Sequence, residues 1–200
     1  MPAFLRVLFV DALTTIFEAF FLVFLAEFGD KSQLVCMTLS ARYRAWPVLL
    51  GSLAAFAVLN AIAVLFGTMI STYLPETIVL AIVGTLFLLF GIQSFRVEED
   101  DDDEPVKVGR HILISVFTLI FFAELGDKTQ LSVAGMAAVE PAFIVWLAGT
   151  LALAITTLLG VWFGRMLLKK LSVTLIHRGA GVLFIVFALI AFYHLFLALS

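Results

Sequence analysis

The sequence predicts an all-α polytopic membrane protein: six transmembrane helices in two inverted three-helix repeats. Three observations carry this expectation. First, 63% of the 200 residues are hydrophobic and 14% are charged, with a mean hydropathy of +1.15, whereas an average soluble domain is about 25% charged. Second, apolar runs of about 20 residues recur along the chain, enough for a helix to cross a hydrocarbon core of roughly 30 Å. They lack the alternation of a membrane β-barrel, so helices are the spanning element. Third, the nine residues Ala26-Glu27-Phe28-Gly29-Asp30-Lys31-Ser32-Gln33-Leu34 return as Ala123-Glu124-Leu125-Gly126-Asp127-Lys128-Thr129-Gln130-Leu131, seven of nine identical at an offset of 97.

Turn and charge signals place the spans near 14–40, 46–70, 76–96, 112–138, 142–168 and 174–198. The breaks are Arg42 to Arg44 before Pro47, Tyr73-Leu74-Pro75-Glu76, the acidic run, Glu140-Pro141 and Lys169-Lys170. Residues 1–13 either extend the first span or lie along the interface. Outside the motif, Phe66-Gly67 matches Phe163-Gly164 and Gly84 matches Gly181 at offset 97, and Gly51-Ser52 matches Gly149-Thr150 at offset 98. The chain therefore divides into 1–13, a first repeat 14–96, an acidic linker 97–111 and a second repeat 112–200. Three spans per repeat is an odd number, so the second motif helix must run opposite to the first. Proteins built this way bind substrate near the midplane, where the repeats meet.

Basic residues set the orientation. Leaving aside the motif lysines, Arg42, Arg44, Arg96, Lys107, Arg110, Arg165, Lys169, Lys170 and Arg178 fall on one side and Arg6 on the other. The positive-inside rule puts the basic connections in the cytoplasm and both termini outside. Gly160 with Gly164, and Gly51 with Ala54 and Ala55, provide small faces for close helix packing; the expected partners of the whole chain are membrane lipid and, left open, further copies of itself in a homo-oligomer. The N-terminal apolar stretch carries Asp11 and Glu18 without a clear small-x-small site, so no cleavable signal peptide is expected. Nothing resembles a nucleic-acid surface, because basic clusters with interleaved aromatics are missing. The single cysteine, Cys36, excludes an internal disulfide.

The motif concentrates polar chemistry in apolar sequence, where ionisable residues mark function by default. Glu27 with Asp30, and Glu124 with Asp127, are spaced to share a helical face. Gly29 and Gly126 lie between them and lower helix stability by about 1 kcal/mol relative to alanine, which favours a bend or break. Ser32, Gln33, Thr129 and Gln130 add neutral oxygens. The expected metal set is thus Glu27, Asp30, Glu124, Asp127, Gln33, Gln130, Ser32 and Thr129. Such an all-oxygen set suits Mg²⁺, Ca²⁺ or Mn²⁺, whereas zinc and copper prefer imidazole or thiolate. His111, His177 and His194 form no ligand-spaced cluster. Four carboxylates and two ammonium groups leave two negative charges, which one divalent ion neutralises. Protons compete for clustered carboxylates in a poorly solvated site, and Na⁺ competes on the same electrostatic grounds. Lys31 and Lys128 either pair with the glutamate four residues earlier and balance charge, or snorkel to the interface. Asn60 and Thr157, aligned in the second span of each repeat, either hydrogen-bond between helices or line the site. Glu18 aligns with Ser115 and has no acidic counterpart; it is a solvated acid or part of an access path.

The doubled Glu-x-Gly-Asp-Lys-[Ser/Thr], in six spans with an acidic linker, resembles the Gdt family of small transporters found in bacteria, chloroplasts and the Golgi, grouped with the cation/calcium exchangers. The resemblance covers almost the whole chain. It implies a carrier, not an enzyme and without a cofactor, whose substrate is Mn²⁺ or Ca²⁺ and whose counter-ion is H⁺, with Na⁺ as the electrostatic alternative. It further implies a bacterial inner-membrane exporter of manganese. The family's acids match Glu27, Asp30, Glu124 and Asp127, and its hydroxyl and amide positions match Ser32, Gln33, Thr129 and Gln130. The competing readings are a Ca²⁺/H⁺ antiporter with Mn²⁺ secondary, a divalent-cation channel, and an intramembrane acid-pair enzyme, against which the motif lysines argue.

Seven consecutive acids, Glu98 to Glu104, occupy the linker; like charges repel and favour an unstructured, solvated segment. A sharper expectation is that they concentrate cations at the cytoplasmic mouth. Replacing all seven by serine and asparagine is then expected to raise the metal concentration for half-maximal transport; an unchanged concentration dependence leaves the run as a plain linker.

Overall fold

The computed structural model describes the backbone of residues 3–95, 111–170 and 173–200, and the side chains of 12–30, 32–40, 42–95, 111–162 and 178–200. Among these residues the chain is entirely helical: α1 (Ala3–Glu27), α2 (Lys31–Arg42), α3 (Ala45–Tyr73), α4 (Glu76–Ser94), α5 (Ile112–Glu124), α6 (Lys128–Ala137), α7 (Ala142–Lys170) and α8 (Val173–Leu199). Proline places the punctuation. Pro47 sits in the first turn of α3, where its missing N–H has no helical partner to lose. Pro75 pushes Leu74 into an extended conformation (φ −106°, ψ 145°) and ends α3. Pro141 immediately precedes α7, in the turn that follows the end of α6 at Ala137.

Among the described residues, four segments are long and apolar enough to cross a membrane: Ala45–Tyr73, Glu76–Ser94, Ala142–Trp162 and Arg178–Leu199. A fifth crossing forms if the bent pair α1/α2 is one span; its two arms, Ala12–Glu27 and Ser32–Ser40, meet at 69°. The segment expected to be a single span at 112–138 is two short helices, α5 and α6, of 13 and 10 residues. Either alone is too short to cross, at roughly 1.5 Å per residue. Residues 3–13 continue α1 without interruption. The acidic run Glu98 to Glu104 lies outside the described residues, as do the side chains of Lys31, Arg165, Lys169 and Lys170.

Packing joins elements across the two halves. α1 lies on α7 and α5 lies on α3; α2 lies on α7 and α6 on α3; α3 meets α7, and α4 packs along α8 in the most extensive contact of all. Fully buried Leu22, Val116, Ile120, Val133, Val145 and Phe184 anchor the core. Phe17, Leu65, Phe66, Leu89 and Phe196 are exposed, an apolar surface that soluble monomers avoid and lipid accepts. Glycine lets backbones meet: Gly91 of α4 and Gly181 of α8 face one another's carbonyls, and Gly67 of α3 abuts the Ala134 carbonyl of α6.

A methyl group at Gly67 collides with that carbonyl, whereas one at Gly179 meets nothing within 4 Å. Gly67→Ala is therefore expected to destabilise by about 1 to 3 kcal/mol, and Gly179→Ala to be neutral or stabilising. Thermal unfolding in detergent checks this: Gly67→Ala melts several degrees lower than the parent, Gly179→Ala does not.

Candidate metal site

Both motifs break their helix at the same place. α1 ends at Glu27 and α2 begins at Lys31; α5 ends at Glu124 and α6 begins at Lys128. Gly29 and Gly126 each have φ = 84°, the left-handed region, and are the positive-φ residues of the described chain. An L side chain there costs about 1 to 2 kcal/mol, which is why the sequence places glycine at both. In each break the aspartate N–H donates to the glutamate carbonyl: Asp30 to Glu27 at 3.1 Å, Asp127 to Glu124 at 3.2 Å. The break replaces the helical relation expected between Glu27 and Asp30, and between Glu124 and Asp127. Each glutamate closes one helix and each aspartate stands immediately before the next. The aspartates thus meet the positive end of a helix dipole.

Backbone inside a membrane needs internal hydrogen-bond partners, and the glutamines supply them. Gln33 Oε1 accepts from the Gly29 N–H at 2.7 Å, and Gln130 Oε1 accepts from the Gly126 N–H at 2.6 Å. Their other ends cross to the opposite half. Gln33 Nε2 donates to the Thr156 carbonyl at 2.9 Å, and Gln130 Nε2 to the Leu59 carbonyl at 3.1 Å.

The acids converge between the two breaks. One carboxylate oxygen from each of Glu27, Asp30 and Asp127 lies within 4.8 Å of the other two. Glu27 is buried, with 2% exposure, and takes a hydroxyl from each motif. Ser32 Oγ donates to its Oε2 at 3.2 Å and Thr129 Oγ1 donates to its Oε1. Glu124 stands outside the trio. Lys128 Nζ lies 3.1 Å from Asp30 Oδ2. That pair joins the two halves, in place of the expected pairing with Glu124, because the break at Gly126 removes the four-residue helical spacing. Three carboxylates and this ammonium carry two net negative charges, the same balance that the sequence gives for four acids and two lysines.

Asn60 is buried and donates through Nδ2 to Thr150 Oγ1 at 3.2 Å, between α3 and α7. Thr157 is buried and donates to the Leu153 carbonyl of its own helix at 2.7 Å. A cavity of 430 Å³ opens elsewhere, with Glu18, Glu76, Glu140 and His194 in its wall; Thr15 Oγ1 donates to Glu140 Oε2 at 2.7 Å beside it. Sequence reading missed the two-ended role of the glutamines. The available signal was spacing: each glutamine is the fourth residue after its glycine, one helical turn past the break.

The family model for the divalent cation/proton antiporter GDT1 matches this chain twice, at residues 15–102 and 112–198. The chain belongs to the GDT1 family. The two matches begin 97 residues apart, the offset of the repeat. A GDT1-like protein of Synechocystis is 29% identical over 90% of this chain and 98% of its own length. GDT1-like protein 5 of Oryza sativa subsp. japonica is 28% identical over 84% of this chain and 89% of its own. A Vibrio cholerae protein whose name proposes it as a manganese exporter is 28% identical over 84% of both chains. No solved structure matches. This GDT1-family chain is thus a multi-pass membrane protein of a family of cation/proton antiporters.

Gly126 has open space around its Cα position, so alanine there strains the backbone without a collision. Gly126→Ala is expected to lower stability by about 1 to 2 kcal/mol and to slow transport more than an alanine at Gly179, since the strain falls where Asp127 is placed. Equal transport rates for the two variants argue against a conformational requirement at the break.

Proposed function

We propose that the protein is a secondary transporter that exports Mn²⁺, accepting Ca²⁺ as a further substrate, in exchange for H⁺. The observation that carries this reading is the convergence of Glu27, Asp30 and Asp127 from two separate helix breaks onto one oxygen-rich site. Oxygen ligands suit hard divalent ions, and Glu124, Ser32 and Thr129 complete the donor set on this reading. The family's description supplies the proton as counter-ion, and the Vibrio relative's name favours manganese. Six crossings in two inverted repeats follow if α1/α2 and α5/α6 each make one span; the matched breaks and exchanged packing partners support that arrangement. The basic residues favour termini outside a bacterial inner membrane.

Exchange then needs few parts. Substrate neutralises the carboxylates, drawing Asp30 away from Lys128. Release on the other side leaves acids that take protons, and the protonated site returns. Broken helices in inverted repeats favour this cycle over an open pore. The acid-lined cavity beside Glu18 and Glu140 supports a route to the outer side.

Liposomes holding the purified protein are expected to move Mn²⁺ against its own gradient when a pH gradient is imposed; flux that only runs downhill favours a channel, and uphill flux under a sodium gradient alone reassigns the counter-ion. The KM for Mn²⁺ is expected to rise as pH falls on the binding side, because protons occupy the same oxygens. Glu27→Gln and Asp127→Asn are each expected to cut flux by about 100-fold or more, beyond the cost typical of residues that only orient a ligand. Full flux in both variants removes the site assignment.

A further inference from the structure

The four glutamine hydrogen bonds repeat at a single offset. Gly29 and Gly126, Gln33 and Gln130, and the accepting carbonyls of Leu59 and Thr156 are all 97 residues apart. Each amide is used at both ends: its oxygen holds the N–H freed by the break, and its nitrogen holds a carbonyl in the middle helix of the other half. In α7 the chain leaves room for the amide arm, since a Cβ on Gly160 falls 2.6 Å from Gln33 Cγ.

We propose that Gln33 and Gln130 are paired positioning residues, each tying one broken motif helix to the opposite half and so fixing where Asp30 and Asp127 stand, rather than ligands of the ion. The inference rests on the transport reading above and deepens it. A side chain anchored on α7 or α3 carries movement of that helix to the aspartate three residues before it. A binding event at the acids is in turn felt by the facing half. The two amides act alike, because each half supplies one strap and one anchoring carbonyl.

The test measures Mn²⁺ and Ca²⁺ uptake into liposomes by the full-length protein. Gln33→Met and Gln130→Met are each expected to cut Vmax about tenfold, with KM and the Mn²⁺/Ca²⁺ preference within about twofold of the parent, because positioning acts on turnover and ligation acts on affinity. Gln33→Glu and Gln130→Glu keep an acceptor for the glycine N–H and lose the donor to the opposite helix; they are expected to slow likewise, and they replace the Met variants if those do not give a monodisperse peak in detergent. Gly160→Ala, which crowds the Gln33 arm without altering its chemistry, is expected to lower Vmax in the same manner. A tenfold change in KM or in ion preference in either glutamine position overturns the proposal in favour of ligation, as does unchanged Vmax in all the glutamine variants. A parent protein that moves neither ion, indistinguishable from Asp127→Asn, instead sinks the transport reading on which the proposal rests.

Discussion

On the proposed reading the arrangement depends on one constraint: a helix interrupted inside the membrane leaves backbone groups that water does not reach. Each must find a partner within the protein. Here the interruption is wanted, because it is what carries Asp30 and Asp127 off the helix face and sets them before the N-termini of α2 and α6. The chain meets the constraint with its own side chains. A glycine at φ = 84° turns the backbone, a glutamine one turn later caps the freed N–H, and the packing of α2 on α7 and α6 on α3 brings an acceptor within reach of the other amide end. Without the cross-packing the glutamines have no second partner. Without the glutamines each break leaves its glycine N–H without this partner.

The same geometry explains how so much charge is tolerated. Glu27 is almost wholly buried, yet both its oxygens receive hydroxyls, one from each motif. Asp30 has Lys128, and helix termini add partial positive charge beside both aspartates. What is left over is the net negative charge of the carboxylate trio. A site satisfied in its hydrogen bonds but unbalanced in its charge is one that a cation enters without disturbing the scaffold.

Much of this was legible in the chain before any coordinates. Pro75 ends α3, and Pro141 stands between α6 and α7, at breaks the residues announce. Glycine between two acids pointed to a bend, and the duplicate pointed to two bends facing one site. Three things were not legible, and all are tertiary. The lysine reaches across the repeat instead of back along its own helix, since the bend that glycine allows also destroys the four-residue spacing. The glutamines hold backbone at both ends, which needs knowledge of which helix lies opposite. The glutamates, equivalent in sequence, are inequivalent in space.

That inequivalence has a structural origin. Around the first motif Ala26, Glu27 and Phe28 are all buried, while Leu125 of the second is half exposed at 51%. α8 leans on α1 and α4 touches α6, but among the described residues the reciprocal pairs, α4 with α5 and α8 with α2, make no comparable contact. The tightly joined α4–α8 pair therefore packs on one arm of each broken helix, α1 and α6, and not on the other. A site built from two like motifs has to be unsymmetrical at any instant if it faces one side of the membrane at a time. The breaks and glutamine ties obey the repeat, whereas the cover and the hydroxyls, both of which go to Glu27, do not. On the proposed reading, the difference between two access states then lies in which arms the α4–α8 pair covers, with the paired motifs exchanging environments and the carboxylates staying where the two halves meet.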